Sequence, residues 1–382
     1  MTRQVRQRKQ RGRSLVGETY EVEVGPVAHG GHCVARHDGR VLFVRHTLPG
    51  ERVLARVSEG EEGSRFLRAD AVEVLEASPD RVEPPCPFAG PGRCGGCDFQ
   101  HVALPAQRRL KSAVVAEQLH RLAGLDVDVE VQPVPGDQDG LRWRTRVQLV
   151  TDRSGRIGLH KHRSHQVVAV DDCRIARPDA RVLVDGHPVE GAGVAVAESV
   201  RGHDFEVDPA GFWQVHPGAP EALVDAVLRF LAPRPGERCL DLYAGVGLFS
   251  VFLADAVGPT GSVVAVEGER VAAEHAASNL EVFPGAAARR GSVDRDLAED
   301  PGEPVDLVVL DPPREGAKRT VVEEIVRRGP RAVAYVACDP AALARDVAIF
   351  AEHGYAMTRL EAFDLFPMTH HVECVALLRN SR

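Results

Sequence analysis

The sequence has no apolar run near the ~18 residues needed for a membrane-crossing helix, which excludes a helical membrane protein. No apolar h-region follows the first residues, so no secretory leader is expected and a cytoplasmic protein is. There is no internal repeat and no low-complexity tract, which excludes repeat architectures. Acidic side chains are missing from residues 1–14, where Arg3, Arg6, Arg8, Lys9, Arg11 and Arg13 stand. The net charge of −8 therefore hides an acidic body behind a short basic arm. That balance excludes a protein that coats DNA. The arm itself suits either phosphate or a solvated tail.

What is present is ample for folding. A chain of 382 residues, 44% hydrophobic and 27% charged, predicts two or three soluble globular domains. Eight cysteines in a chain with no leader point to metal or catalytic roles rather than disulfides.

Residues 15–77 read as short strands at close spacing: Thr19–Val24, Val41–Val44, Val53–Val57 and Ala71–Leu75. His29-Gly30-Gly31 and Leu48-Pro49-Gly50 supply turns. This pattern predicts a small barrel of the OB type. Residues 78–100, rich in Pro, Gly and Cys, read as a loop-bound site. A helix is expected over Leu104–Leu122. Residues 128–210 alternate short β-like runs with turns. A second helix is expected from about Pro220 to Leu231, before a strongly α/β-patterned region over 237–382.

Three constellations carry chemistry. The first is Cys86, Cys94-Gly-Gly-Cys97 and the distant Cys173. Glycine permits the left-handed turn with which two thiolates bend around one centre. Four thiolates fit either a zinc site or an iron–sulfur cluster, and spacing does not separate the two. His101 and the histidines of 160–165 read as surface residues.

The second is ERCLDLYAGVGLFS over 237–250, a buried strand, a glycine turn at Gly245 and Gly247, and a helix from Leu248 to Val257. The next strand, Ser262–Val266, leads into Glu267, an acid suited to a ribose diol. The full G-x-G-x-x-G spacing is missing, which favours S-adenosylmethionine over a dinucleotide. A third strand runs into Asp311-Pro312-Pro313-Arg314 at the ligand-binding edge of such a sheet.

The third is the strand Arg331–Ala337, which ends in Cys338-Asp339-Pro340 before a helix. Asp339 suits the N-cap and Pro340 the first turn. The helix terminus is expected to favour a Cys338 thiolate, against the charge of Asp339. His371 and Glu373 are expected on one face of the last strand, where a buried Glu373 suits a base.

Taken in order, the barrel segment, the cysteines, FWQVHPG, DLYAGVGLFS, DPPR, VACDP and FPMTHHVE resemble the RNA uracil-C5 methyltransferase family, with its TRAM barrel. The resemblance runs from about residue 15 to 380. It implies a multidomain fold: an N-terminal TRAM barrel over 15–77, a central α+β domain with an iron–sulfur site over 78–212, and a C-terminal Rossmann-like methyltransferase domain over 213–382. It implies Cys338 as nucleophile and Glu373 as base. It implies Gln214, Tyr243, Gly245, Glu267 and Asp311 as contacts of S-adenosylmethionine. Cys86, Cys94, Cys97 and Cys173 match the ligands of a 4Fe-4S cluster. Arg142 and Arg144 match a basic segment of the central domain, with no contact assigned. Ribosomal RNA is the implied substrate ahead of transfer RNA, and a monomer without an obligate protein partner is expected. His216 stands where the family more often has Asn, Ala337 where Ser is frequent, and the first cysteine spacing is longer than in some members. Cytosine-C5 methylation and a non-catalytic iron–sulfur RNA-binding protein are the alternatives.

Overall fold

The structure is a computed structural model that describes residues 12–189, 195–300 and 303–380. Most of the basic arm lies outside these residues. Of it, Arg13 pairs with Glu18 at 2.6 Å and Glu62 at 3.0 Å.

Five strands form a closed barrel: β1 (Thr19–Ala28), β2 (His32–His37), β3 (Arg40–Arg45), β4 (Arg52–Glu59) and β5 (Phe66–Glu76), in the order β1-β2-β3-β5-β4. Alternation decides which side chains go inside. Leu42 and Val44 of β3 are buried between partly exposed neighbours, as are Val53, Ala55 and Val57 of β4. The barrel core continues into Phe99 and Val102, and into Ala106 and Val114 of helix α1 (Leu104–Ala123). The barrel is thus seated on α1 rather than tethered to it.

The middle of the chain contributes β6 (Val131–Gln132), β7 (Arg144–Thr151), β8 (Ile157–His160), β9 (Val167–Val168), β10 (Ala176–Val184) and β11 (His187–Pro188). All but β6 form one sheet in the order β11-β10-β7-β8-β9. A separate hairpin pairs β12 (Val196–Val200) with β13 (His203–Val207).

The C-terminal region alternates α2 (Ala219–Leu231), β14 (Arg238–Leu242), α3 (Leu248–Val257), β15 (Ser262–Glu267), α4 (Arg270–Leu280), β16 (Ala286–Arg290), α5 (Val293–Glu299), β17 (Leu307–Leu310), α6 (Lys318–Arg327), β18 (Ala332–Ala337) and α7 (Pro340–Glu352), and closes with β19 (Tyr355–Phe363) and β20 (Glu373–Asn380). Its sheet runs β16-β15-β14-β17-β18-β20-β19-β6. The inner strands β17 and β18 are buried throughout, which their unbroken Val, Leu and Ala runs require. Helices cover both faces. One core joins the sheet to α2 and α3, and the other joins it to α6, α7 and α1. Val200, Phe205 and Val207 belong to the first core, so the catalytic region draws on residues before 213. Among the described residues no helix is long and apolar enough to cross a membrane.

Candidate active site

Register places the reacting groups. In the antiparallel pair β18–β20, Ala337 faces Cys374. One step further along that ladder stand Cys338 and Glu373. β17 lies on the other side of β18 and delivers Asp311 to the same edge, where its N–H donates to the Leu242 carbonyl at 3.2 Å. Behind the nucleophile, Asp339 Oδ1 accepts the Ala342 N–H at 2.8 Å and caps α7, with Pro340 in the first turn. The last strand begins only at Glu373, so His371 precedes it and does not share its face, contrary to the expected alternation. The Phe366–Val372 segment is turned by Met368, whose φ is 66°.

The electrostatics reverse one expectation. Burial, with the charges of Glu373 and Asp311, pushes the Cys338 thiol up to about 12, while Arg314 works the other way. The start of α7 does not outweigh this ring of acids. Burial and Asp311 likewise hold the Glu373 carboxyl well above the ordinary range. Asp311 itself is raised to about 7 by burial and by Asp241. Burial and the neighbouring acids therefore favour the neutral forms of both Cys338 and Glu373, since close acidic groups resist ionising together.

A cavity of about 190 Å³ opens on Cys338, lined also by Arg314, His371, Lys111 and the barrel turn at His29. An engineered cavity of about 150 Å³ takes benzene, so this one has room for a single flat ring. His371 Nε2 lies 3.4 Å from Arg314 Nη2. Burial, His370 and Arg314 push His371 down to about 3, which leaves its ring neutral. Lys111 Nζ, fully buried on α1, donates to Asp364 Oδ1 at 2.5 Å and to the Phe366 carbonyl at 3.0 Å. Asp98 accepts from Arg45 of the barrel at 3.2 Å, and its Oδ2 lies 2.6 Å from His370 Nδ1. These contacts pin the segment that carries His370 and His371. Sequence reasoning missed them, as it missed His29. The only local signal was a histidine at a Gly-Gly turn.

The cofactor side is equally built. Gly245 has a φ of 57°, and a Cβ there would meet no atom within 4 Å, so the space before it is open. Its N–H donates to Glu267 Oε2 at 2.8 Å, and the Glu269 N–H donates to Oε1 at 2.7 Å. The carboxylate is thereby aimed before any ligand arrives. Tyr243 sits in the left-handed region at φ 61°, a strained conformation that marks the strand-to-loop corner. Asp241, fully buried, accepts from Ser250 Oγ at 2.5 Å with one oxygen, while the other has no partner. This open glycine cradle and orphaned carboxylate oxygen fit an adenosyl ligand with a cationic centre. Gln214 is buried and lines a second cleft, of about 410 Å³, with Trp213 and Pro217. His216 does what a shorter amide could do. Its Nδ1 accepts the Gly218 N–H at 3.1 Å, and its ring stacks on Trp143 at 5.8 Å.

Cys86, Cys94, Cys97 and Cys173 are all free thiols. Burial raises Cys94, to which Cys173 and Cys86 add. Burial pushes Cys97 to about 12, with Cys173 and Cys94 contributing. Cys94 and Cys97 are thereby favoured as neutral thiols. Among the described residues no three His, Cys, Asp or Glu side chains are gathered tightly enough to hold a metal ion. Gly95 and Gly96 do not adopt the expected left-handed backbone. Gly95 is there for close approach, because a Cβ would stand 2.5 Å from the His162 backbone nitrogen. Arg142 grips Asp172 with two hydrogen bonds of 2.6 and 2.7 Å and reaches the Cys173 carbonyl at 3.3 Å. Arg144 is turned inward toward the Cys173 and Cys97 thiols. His101 is buried and contacts the Thr47 carbonyl at 3.2 Å, unlike the surface residue expected.

A third cleft, of about 470 Å³, runs between the barrel and residues 161–163, lined by Arg45, Arg68, Lys161 and Arg163 beside Phe43. The Arg68 guanidinium stands 5.9 Å from the Phe43 ring and 5.5 Å from Phe66.

Residues 13–72 match the TRAM domain, and residues 303–381 match the tRNA (uracil-5-)-methyltransferase family. An uncharacterized RNA methyltransferase of Streptomyces avermitilis is 49% identical over 95% of this chain and 98% of its own. The 23S rRNA (uracil(1939)-C(5))-methyltransferase RlmD of Pseudomonas putida is 32% identical over 95% of this chain and 94% of its own. The chain belongs to the RNA (uracil-5-)-methyltransferase family. A solved structure of the Pyrococcus abyssi tRNA (uracil-54, C5)-methyltransferase with S-adenosyl-L-homocysteine shares the fold, with a TM-score of 0.69 at 21% identity over 94% of this chain and 100% of that one. Family membership thus joins the barrel at one end of the chain to the Cys338–Glu373 edge at the other.

Proposed function

We propose that the protein forms 5-methyluridine in ribosomal RNA, using S-adenosylmethionine, with Cys338 as nucleophile and Glu373 as base. The observation that carries this reading is that Cys338 lines a ring-sized cavity, one step past the Ala337–Cys374 pair whose next residue on the facing strand is Glu373. Uracil C5 is a poor nucleophile until a group adds at C6. Addition forms the Cys338 Sγ–C6 bond and breaks the S–H bond. The C5=C6 electron pair moves toward O4, which takes the proton, and C5 becomes electron-rich. Tyr243, Gly245, Glu267 and Asp311, with Gln214 as a further proposed contact, would hold S-adenosylmethionine, which when bound would supply the electrophilic methyl for C5. As C5 takes the methyl, the C4 carbonyl re-forms and the O4 proton leaves to solvent. Glu373, as carboxylate, then takes the C5 proton, and the electron pair left at C5 expels Cys338 as thiolate. The thiolate is reprotonated from solvent, so that one proton is released overall. Arg314 opposes the upward shifts of both Cys338 and Glu373, so it favours their ionised forms. The uridine must leave its stack to reach the cavity, which suits a loop or single strand. The cleft beside Phe43, where Arg45, Arg68, Arg93, Lys161 and Arg163 outnumber Glu59 and Asp70, suits the flanking strand.

Cys86, Cys94, Cys97 and Cys173 are proposed to bind a 4Fe-4S cluster that holds the central loops in place, since methyl transfer needs no electron. The likeness to RlmD favours ribosomal over transfer RNA. One chain carries every proposed reacting group, so the monomer is the proposed active unit, working in the cytoplasm where thiols stay reduced.

The test is incubation of anaerobically purified protein with methyl-labelled S-adenosylmethionine and RNA from cells lacking the gene. Label in 5-methyluridine of ribosomal RNA is expected. Label in 5-methylcytidine would move the target base to cytosine, and label in transfer RNA would move the substrate. Iron and sulfide analysis of each of the four Cys→Ser variants tests the cluster. Full iron retention in all four refutes the ligand set, and stoichiometric zinc in place of iron makes the site structural zinc.

A further inference from the structure

The barrel enters the catalytic cavity. The turn His29-Gly30-Gly31 between β1 and β2 lines it, together with Cys338 and Asp339. His29 Nε2 lies 2.9 Å from Asp339 Oδ2. The other oxygen of that carboxylate caps α7 through the Ala342 N–H. Asp339 is therefore held at both ends, by the barrel and by the helix that begins at the nucleophile. On its other side the same turn is seated on the segment before Glu373. Gly31 has a φ of 77°, and a Cβ there would stand 2.6 Å from the His370 Cβ and 3.2 Å from the Asp98 Cβ. Neither contact is a sequence neighbour, so the barrel must be docked for either to form.

We propose that the barrel completes the active site and that His29 is a positioning residue, acting through Asp339 on the Cys338 nucleophile. The proposal rests on the methyl-transfer reading above. Asp339 is one of the acids whose charge keeps the Cys338 thiol protonated, along with Glu373 and Asp311. A histidine hydrogen-bonded to Asp339 draws that charge away from the sulfur and fixes the first turn of α7. The step served is addition of Cys338 to uracil C6. The residue does this from outside the methyltransferase region, more than three hundred positions earlier in the sequence.

The experiment uses the full-length protein, S-adenosylmethionine and a ribosomal RNA transcript containing 5-fluorouridine. Fluorine at C5 cannot be removed as a proton, so the Cys338 adduct persists and can be counted on a denaturing gel. Adduct rate at saturating RNA and RNA affinity are measured for the unsubstituted protein, His29→Ala, His29→Gln, Asp339→Asn and the double variant His29→Ala with Asp339→Asn. His29→Ala is expected to slow the adduct step about tenfold, one pKa unit of thiolate, with RNA affinity changed less than about twofold. His29→Gln, which keeps a donor, should recover part of the rate. In the Asp339→Asn background, His29→Ala should have no further effect. An unchanged saturated rate in His29→Ala, a loss confined to RNA affinity, or equal losses in both backgrounds overturns the proposal. If the unsubstituted protein forms no adduct, the methyl-transfer reading falls first, and this one with it.

Discussion

At the catalytic edge, Cys338, Glu373 and Asp311 ride on the ends of adjacent strands, whereas Cys86, Cys94, Cys97 and Cys173 sit on loops. The strands are tied residue by residue: Leu310 to Tyr335, and Ala337 to Cys374. The cysteine loops are held by scattered bonds instead of a ladder, among them the Cys94–Lys161 bridge, the Gly95 N–H to the His160 carbonyl at 3.0 Å, and the grip of Arg142 on Asp172. The first site is rigid before its ligands arrive, and its groups repel one another. The second has its donors near one another without a closed metal site. A site on strand ends can store unfavourable electrostatics because the sheet supplies the restraint. A site on loops takes its final shape from what it binds.

That contrast can be broken at several points. Cys338→Ala should cost about 10⁴-fold or more in methyl transfer while leaving the melting temperature unchanged, because the sheet and not the thiol holds the edge. Labelled turnover and a thermal melt check both halves. Glu373→Gln should slow turnover by about 10²–10⁴-fold and let the covalent RNA adduct accumulate on a denaturing gel, because addition no longer has its exit. Lys111→Met removes the buried partner of Asp364, which should cost about 3–5 kcal/mol in urea unfolding. A loss near zero would show that the segment after β19 is held by something else. The remaining effect is a pH dependence. Asp311 is raised from 3.8 to about 7. A raised carboxyl favours the native state fully below its unfolded value, and that contribution is lost as pH rises through the folded value. Asp311→Asn should therefore gain stability over the unsubstituted protein across that window, by at most about 1.4 kcal/mol per pH unit, and level off above it. Denaturant midpoints across the pH range test the sign.

The same contrast separates what could be read in the sequence. Helix α3 spans the residues its pattern predicts, and Asp339 and Pro340 cap α7 as their order implies. Strand ends carry local signals, so Asp311 and Cys338 could be put at the sheet edge from sequence, while the role proposed for Glu373 came from the resemblance carried by the motifs together. What escaped was long-range. His29 with Asp339, Asp98 with His370, and Lys111 with Asp364 are each more than 250 positions apart. Periodicity reports only neighbours. The direction of the Cys338 shift escaped for the same reason, since it depends on acids from two other strands. His101 read as a surface residue because nothing nearby in sequence shows the barrel closing over it.

The short strand β6 pairs with β19 through only two residues, Val131 and Gln132. It has a consequence for dividing the protein. Without it, β19 would be the outermost strand of the sheet, with a row of free amides and carbonyls open to another chain. β6 covers Ala362 and Phe363 at one end of that border. A fragment cut at residue 213 would carry every proposed reacting group and still be prone to self-association by strand addition. The last strand of the methyltransferase sheet is thus supplied by chain that precedes it.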